Sequence, residues 1–263
     1  MSESEEGKMS FFDHLTELRN RIIWSLIPAL VGVIIAFRFS DRIIQFIARP
    51  LTQRGSQLVF LSPTEAFWTS MKVSMIAGLF LAMPVVLWNV WAFVAPGLHK
   101  HERKYAAPFI IIGSLLFMVG GAFALLVVVP FAISFLVGFG QGLGIKDMIS
   151  VSNHVDFVIK FTLAFGLVFQ LPVFITLLSM LGIVTPQFLS KNRKYAILIN
   201  FIIAAILTPT PDLLNQTLMA GPLIILYEVG IIAARIFGKR SPKPAVAPAT
   251  AEVAPPSGGA GAA

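Results

Sequence analysis

The chain has 263 residues, of which 56% are apolar and only 13% are charged, and its mean hydropathy is +0.82. Soluble domains carry nearer a quarter charged residues, so this composition excludes a soluble protein and predicts an integral membrane protein. The net charge of +7 does not require a nucleic-acid partner, because Lys and Arg accumulate in the cytoplasmic loops of polytopic proteins, and the absence of cysteine excludes disulfides and thiol nucleophiles.

An amphipathic helix is predicted at the N-terminus, leading into the first span. Its apolar face has residues at spacings of four, three and four: Phe11, Leu15, Leu18 and Ile22. Glu17 lies on the polar face, four residues before Arg21. The uncharged run 22–37 covers about 24 Å as a helix, so the first helix must extend beyond it to cross a bilayer core of about 30 Å.

A surface helix and a long second span come next. Apolar and polar residues alternate at helical spacing over residues 40–51, which indicates a short amphipathic helix on the membrane surface that Pro50 ends. Ser62 as N-cap and Glu65 at the third helical position predict a helix that runs to about Ala95. That helix would be roughly 50 Å long, so its first turns should stand in water.

The third and fourth spans are also long. One helix over residues 106–137 is predicted, because no charged residue or polar turn interrupts it, with Pro130 bending its far end. Asn153 and Asp156 are expected to cap a fourth helix that runs to about residue 181 and is broken by Pro172.

The last two spans are expected to be short. Residues 195–207 give roughly 20 Å of helix, a rigid turn follows, and a helix returns from Leu213 to about Arg235. Either the bilayer thins around this hairpin or the turn dips into it. The Pro-, Ala- and Gly-rich tail is predicted to be disordered.

The predicted organisation therefore has three parts and six spans. They are a cytoplasmic amphipathic segment 1–21, a transmembrane domain 22–236 and a cytoplasmic tail 237–263. Of the 20 Lys and Arg residues, 13 fall at the termini and even-numbered connections and 7 on the other side. The positive-inside rule then predicts that both termini are cytoplasmic.

The motifs of common enzymes are missing. The sequence contains no HExxH, GxSxG or Walker A motif. His99 and His101 flank Lys100 in a short loop, and without further ligands they are expected to be solvated rather than metal-bound. We therefore expect a protein that is not an enzyme and needs no metal or cofactor.

Three polar residues fall within the apolar spans: Asn89, Gln170 and Glu228. Such positions are costly in a bilayer and are candidates for function. Asn89 is expected to form an interhelical hydrogen bond. Gln170 either satisfies the backbone carbonyl that Pro172 frees or contributes to substrate passage. Glu228 lies near the end of its helix, where solvation would make its charge ordinary.

Glu17 and Glu102 are both predicted at the cytoplasmic interface. The simpler interpretation pairs each with a neighbour, Glu17 with Arg21 and Glu102 with Lys100 or Arg103. The functional interpretation is that both carboxylates converge on one groove and bind two guanidinium groups.

Five segments together resemble the TatC family, the signal-receptor subunit of the twin-arginine protein translocase. They appear in the family's order: HLTELRNR (14–21), VWAFVAPGLHKHERK (90–104), AFGLVFQLPV (164–173), LTPTPD (207–212) and YEVG (227–230). The similarity covers residues 11–237 and implies an all-α, concave, six-span protein of the cytoplasmic (inner) membrane.

The resemblance also implies a function. It implies recognition of twin-arginine signal peptides and export of folded proteins, driven by the proton-motive force. The residues implied for signal binding are Glu17, Glu102, Phe93, Arg19 and Arg103. The residues implied for contact with single-span TatA-like or TatB-like partners are Leu207, Thr208, Pro209 and Asp212. Membrane lipid and other copies of the chain are further expected partners.

One difference from the family pattern concerns Gln170, because many members carry glutamate there. A neutral side chain argues against a mechanism that needs ionisation at this position. The alternative function is a secondary transporter or channel for a small solute, which would require paired broken helices and a charged site at the membrane midplane.

Overall fold

The computed structural model describes residues 11–97, 103–142, 148–208 and 213–238. Within these ranges the chain is almost entirely helical. The helices, in order, are α1 (Phe11–Phe37), α2 (Ser40–Thr52), α3 (Glu65–Val94), α4 (Ala106–Phe123), α5 (Val129–Gly142), α6 (Val151–Val168), α7 (Leu171–Met180), α8 (Pro186–Lys191), α9 (Arg193–Leu207) and α10 (Leu213–Phe237). The described residues also contain two short strands, β1 (Gln57–Val59) and β2 (Met148–Ser150), and three short 3-10 or π-helical turns.

Within the described residues, five helical stretches are long and apolar enough to cross a membrane. They are His14–Phe37, Glu65–Gly97, Ala106–Gly140, Val151–Met180 and Met219–Phe237. The predicted short fifth span corresponds to α9, whose 15 residues cover about 22 Å. The bounds predicted for the final helix are confirmed within two residues, but α10 is not short, because its 25 residues cover about 37 Å. Local bilayer thinning therefore depends on α9 alone.

The antiparallel pair α1 and α3 is held together by a glycine contact. A Cβ atom placed on Gly32 would lie 2.7 Å from the carbonyl oxygen of Gly78, and one on Gly78 would lie 2.5 Å from the backbone nitrogen of Val33. The two backbones approach this closely because neither glycine has a side chain. At one end of the pair, His14 of α1 stacks on Phe93 of α3.

The third span is one continuous helical stretch, as predicted, but it is not a regular α-helix. Between α4 and α5 the residues Ala124–Val128 form a π-helical turn. Pro130 follows immediately, and a proline ring clashes with the carbonyl four residues earlier in a regular helix. The wider π-helical turn gives the carbonyl of Leu126 room beside the proline ring. The bend predicted at Pro130 is therefore an irregular turn just before this residue.

The fourth span is broken, as expected, between α6 and α7. The α-helix ends at Val168, and Gln170 N–H donates to the carbonyl of Leu167 in a tighter turn. Pro172 is the second residue of α7, so the break precedes the proline, which lacks an N–H for the carbonyl of Val168 four residues earlier and whose ring would clash with it in a continuous helix. Gly182 follows α7 with φ of 77°, a left-handed conformation that glycine adopts without strain.

A parallel pair of three-residue strands, absent from the sequence-based prediction, joins the connection before α3 to the connection before α6. Gln57 aligns with Met148 and Val59 with Ser150. Beside this pair, the Glu65 carboxylate accepts hydrogen bonds from Leu61 N (2.6 Å), Ser150 Oγ (2.5 Å) and Ser152 N (2.8 Å). One side chain therefore links the starts of two spans.

Three predicted helix boundaries need correction. The N-cap of α3 is Thr64 rather than Ser62, because Glu65 begins the helix and binds the preceding and neighbouring segments. The N-cap of α6 is Ser150, whose Oγ accepts from Asn153 N–H. Pro50 lies inside α2, which continues to Thr52, since a proline in the last turn removes few helical hydrogen bonds.

The Asp156 side chain does not cap α6 but pairs with Lys72 of α3, its two carboxylate oxygens each 2.8 Å from Nζ. In the same region the buried His154 imidazole is 2.9 Å from the carbonyl oxygen of Ile47, which joins α6 to α2. The largest apolar cluster packs beside these contacts and includes the fully buried side chains of Leu51, Phe165 and Leu223. Polar contacts thus connect α6 to both α2 and α3 at this end of the molecule.

Candidate functional site

The candidate site begins where the start of α1 meets the end of α3. The rings of His14 and Phe93 are stacked with their centroids 4.2 Å apart and their planes 18° apart. Phe93 is half-buried, and Glu17 follows His14 by three residues, so it lies on the same side of α1. Two of the predicted site residues, Glu17 and Phe93, are thus placed at one end of the α1–α3 pair.

The Glu17 carboxylate is only partly used within the protein. Its Oε1 accepts a hydrogen bond from Arg21 Nη2 at 3.1 Å, the i,i+4 pair that the spacing predicts. Its Oε2 is buried and has no hydrogen-bond partner among the described residues. The Glu17 side chain is 19% exposed. A largely buried carboxylate with an unsatisfied oxygen is suited to a cationic donor that approaches from outside.

The remaining residues predicted for signal binding are only partly placed. Arg19 is exposed on α1. Arg103 begins a short 3-10 turn, Arg103–Tyr105, that leads into α4. Glu102 lies outside the described residues, so its convergence with Glu17 stays a prediction.

The predicted partner-contact segment starts at the end of α9. Leu207 is the last residue of α9, and Thr208 caps the helix. The Thr208 hydroxyl donates to the carbonyl of Ala204 at 2.8 Å. Pro209 and Asp212 lie outside the described residues. The face of α9 opposite the buried Ala204 is apolar and exposed at Ile202 and Ile206.

Gln170 forms a hydrogen bond between helices. Its Nε2 donates to the carbonyl of Gly113 in α4 at 2.8 Å, and its Oε1 is buried without a partner among the described residues. The expectation that Gln170 satisfies the carbonyl freed by Pro172 is therefore wrong. Gly113 has no side chain to block the approach, and for this reason the amide reaches the neighbouring helix instead of its own.

The other two polar residues of the spans each have a partner. Asn89 Nδ2 donates to the carbonyl of Val85 at 2.9 Å within α3, and no described residue of another helix forms the expected interhelical bond with it. A carbonyl one turn earlier is simply the nearest acceptor. Glu228 Oε2 is 2.8 Å from Arg193 Nη2, and both side chains are more than a third exposed. This ion pair compensates the charge of Glu228.

Comparisons with known proteins identify the family. The family model described as "Sec-independent protein translocase protein (TatC)" matches residues 13–222. The TatC protein of Carboxydothermus hydrogenoformans is 44% identical over 231 residues, covering 88% of this chain and 95% of that protein. TatCy of Bacillus subtilis is 34% identical over 247 residues, covering 94% and 97%. The chain belongs to the TatC family.

Structural comparison agrees with this assignment. A crystal structure described as the twin-arginine translocase receptor TatC superposes with a TM-score of 0.70 at 39% identity, covering 85% of this chain and 99% of that one. A second, in the detergent DDM, gives a TM-score of 0.72 at 39% identity. As a TatC-family member, the chain is a multi-pass membrane component of the Sec-independent translocase, a transport protein rather than a known enzyme.

Two residues of this TatC-family protein were missed by sequence reasoning. His14 forms the base of the candidate site by stacking on Phe93, a residue 79 positions later. Glu65 joins the starts of α3 and α6 at the opposite end of α3. The sequence contains only a weak signal for either residue. His14 is the first residue of the HLTELR segment, and Glu65 was predicted only as part of the start of a helix.

Proposed function

We propose that this TatC-family protein recognises twin-arginine signal peptides through Glu17 and Glu102. The observation that supports this most is the Glu17 carboxylate, which is largely buried, has one unsatisfied oxygen and lies beside the stacked His14 and Phe93 rings. An arginine side chain would supply both the positive charge and the N–H donors that this oxygen lacks.

Chain connectivity supports a position for Glu102 near Glu17. Glu102 is bonded to Arg103, and consecutive Cα atoms are about 3.8 Å apart. The turn that starts at Arg103 places Tyr105 against the apolar cluster that contains Trp91, two residues before Phe93. The segment that follows Glu102 thus lies against the end of α3 that carries Phe93.

Two carboxylates at this end would recognise a pair of arginines better than one. Each planar guanidinium can form two parallel hydrogen bonds to a carboxylate, a geometry that lysine cannot reproduce. The Phe93 ring offers an apolar face for the aliphatic part of an arginine or for the residue after the pair. Arg19 and Arg103 would then adjust the charge around the site.

The arrangement of the ends supports a single recognition face. Phe237, the last residue of α10, packs edge-to-face on Tyr105 with centroids 5.1 Å apart, so the end of α10 lies near the end of α3. The start of α1 lies there too, through His14. With six spans this face would be cytoplasmic and both termini would be inside, as the distribution of Lys and Arg predicts.

In the proposed function the bound signal delivers folded cargo for export across the cytoplasmic membrane. The segment 207–212 and the exposed apolar face of α9 would contact single-span TatA-like or TatB-like partners, in a complex with several copies of this chain. The proton-motive force would drive transport. A solute transporter is less well supported, since the Gln170 amide near the helix break already donates to Gly113.

Peptide discrimination tests the proposal directly. The full-length protein in nanodiscs is titrated with a fluorescent signal peptide that carries Arg-Arg and with the same peptide carrying Lys-Lys. We expect the Arg-Arg peptide to bind at least about tenfold more tightly, because each lost bidentate contact costs about 1.5 kcal/mol or more. Equal affinities would contradict recognition by paired carboxylates.

A further inference from the structure

A second charged region lies at the opposite end of α1 from Glu17. Within 17 residues around α2 the chain carries Arg38, Arg42, Arg49 and Arg54 but a single acidic residue, Asp41. Among the described residues none of these arginines forms an ion pair with a carboxylate. On the proposed topology this end faces away from the cytoplasm, where short loops usually contain few arginines. Their concentration here calls for an anionic counterpart.

The α2 helix carries two of these arginines and has the pattern of a helix at a membrane interface. Its buried side contains Ser40, Ile47 and Leu51, while Arg42 and Arg49 are exposed. An amphipathic helix of this kind lies in the interface plane with its arginines at the level of lipid headgroups.

A cavity of about 500 Å³ opens between α2 and the bend at α4 and α5. Arg49, Gln53 and Arg54 form its polar side, and its apolar wall includes Phe46 and Leu126. The Arg49 guanidinium lies 5.6 Å from the centroid of the Phe46 ring, which orients it. Arg54 donates through Nη1 to Ser134 Oγ at 2.7 Å and keeps four further N–H donors.

An apolar cavity of about 330 Å³ adjoins the first. Both cavities are lined by Ile47, Leu125 and Val158, so the polar opening continues into an apolar one. The second cavity is otherwise bounded by side chains of four helices: Ile35 of α1, Ile43 of α2, Ala77 and Phe80 of α3, and Ile159 of α6. A ligand that fits both must be anionic at one end and have a hydrocarbon chain at the other.

We propose that this pair of cavities is a binding site for an anionic phospholipid of the outer leaflet. Arg49 and Arg54 bind the phosphate, Gln53 donates to the headgroup, and an acyl chain passes Leu125 into the apolar cavity. Packing of the lipid between α2 and α6 would fix the surface helix against the span on which His154 and Asp156 lie. The site does not depend on the proposed signal recognition, since it uses other residues at the other end of the helices.

Native mass spectrometry of the detergent-solubilised full chain tests this site. The probes are phosphatidylglycerol and phosphatidylcholine with identical acyl chains, and glycerophosphoglycerol, which has the headgroup alone. We expect phosphatidylglycerol to bind more tightly than the other two. The double variant Arg49→Gln/Arg54→Gln should lose about tenfold or more of that affinity, since each basic residue near an anionic headgroup contributes on the order of a factor of five.

Two further variants distinguish a built site from general attraction. Arg38→Gln/Arg42→Gln removes the same charge from residues outside the polar cavity and should retain phosphatidylglycerol binding within about twofold. Ala77→Leu fills the apolar cavity without changing charge and should weaken binding. Equal losses in both arginine pairs, equal binding of phosphatidylcholine, or glycerophosphoglycerol binding as tightly as the lipid would each overturn the proposal.

Discussion

Replacing Glu17 with glutamine should lower the affinity for a twin-arginine peptide by roughly 10- to 100-fold. The substitution keeps the size of the side chain but removes the charge that a guanidinium would meet at the unsatisfied Oε2. A hydrogen bond to a charged group contributes about 1.5–3 kcal/mol, and 1.4 kcal/mol corresponds to a factor of ten in affinity. Titration of the labelled peptide against the protein in nanodiscs measures the change.

Two control variants separate this role from a purely local ion pair. Arg21→Gln removes the intramolecular partner of Glu17, so it should leave peptide affinity unchanged or increase it. Glu228→Gln removes a carboxylate already paired with Arg193 and should have little effect. The interpretation of Glu17 as a peptide ligand would be wrong if Arg21→Gln weakened binding as much as Glu17→Gln.

Replacing Gly78 with alanine should destabilise the protein by about 3 kcal/mol and also impair peptide binding. The new Cβ would lie 2.5 Å from the backbone nitrogen of Val33 and 2.9 Å from the carbonyl carbon of Gly32. Backbone atoms cannot turn aside as a flexible side chain does, so α1 must move away from α3, at a cost at the upper end of that for overpacked cores. The shift would also disturb the stack of His14 on Phe93.

The matched control is Gly138→Ala in α5, where an added Cβ meets no atom within 4 Å. Because alanine is the better helix former, this variant should be neutral or up to about 1 kcal/mol more stable. Chemical unfolding of each variant in mixed micelles gives the free energies. A Gly78→Ala protein as stable as the unchanged chain would show that the α1–α3 contact is not close-packed.

Local sequence signals were sufficient for most helices of this fold. Hydrophobic runs predicted the long spans, alternation of apolar and polar residues predicted α2, and Thr185 caps α8 through its hydroxyl as a threonine before proline should. The ion pair of Glu17 with Arg21 also follows from i,i+4 spacing. These features depend on neighbours within a turn or two, and therefore a single sequence reveals them.

Features that depend on distant partners were not predictable in this way. The pairing of β1 with β2 involves three-residue strands about ninety positions apart, too short to show a period of two. Asp156 has the spacing of a capping residue, but Lys72 on another helix binds it. Asn89 was expected to bond to another helix but bonds within α3, whereas Gln170 bonds to α4 instead of to its own helix. The Gln170 amide reaches α4 because Gly113 has no side chain in its way.

The candidate site was predicted only in part for the same reason. Family motifs proposed Glu17 and Phe93 as site residues, and the antiparallel packing of α1 on α3 brings the start of one helix to the end of the other. His14 was missed since its stacking partner lies on another helix. A pattern of small residues facing each other across two spans, such as Gly32 and Gly78, was the signal that could have predicted this pairing.

The distance between positions 17 and 102 tests the account most directly. The chain has no cysteine, so in the Glu17→Cys/Glu102→Cys variant spin labels attach only at these two positions. Double electron–electron resonance in nanodiscs then measures the distance between the labels. We expect one short distance, on the order of 15 Å between labels, since neighbouring arginines of a peptide lie about 3.8 Å apart along the chain. A separation of about 30 Å, the thickness of the bilayer core, would contradict a shared recognition site.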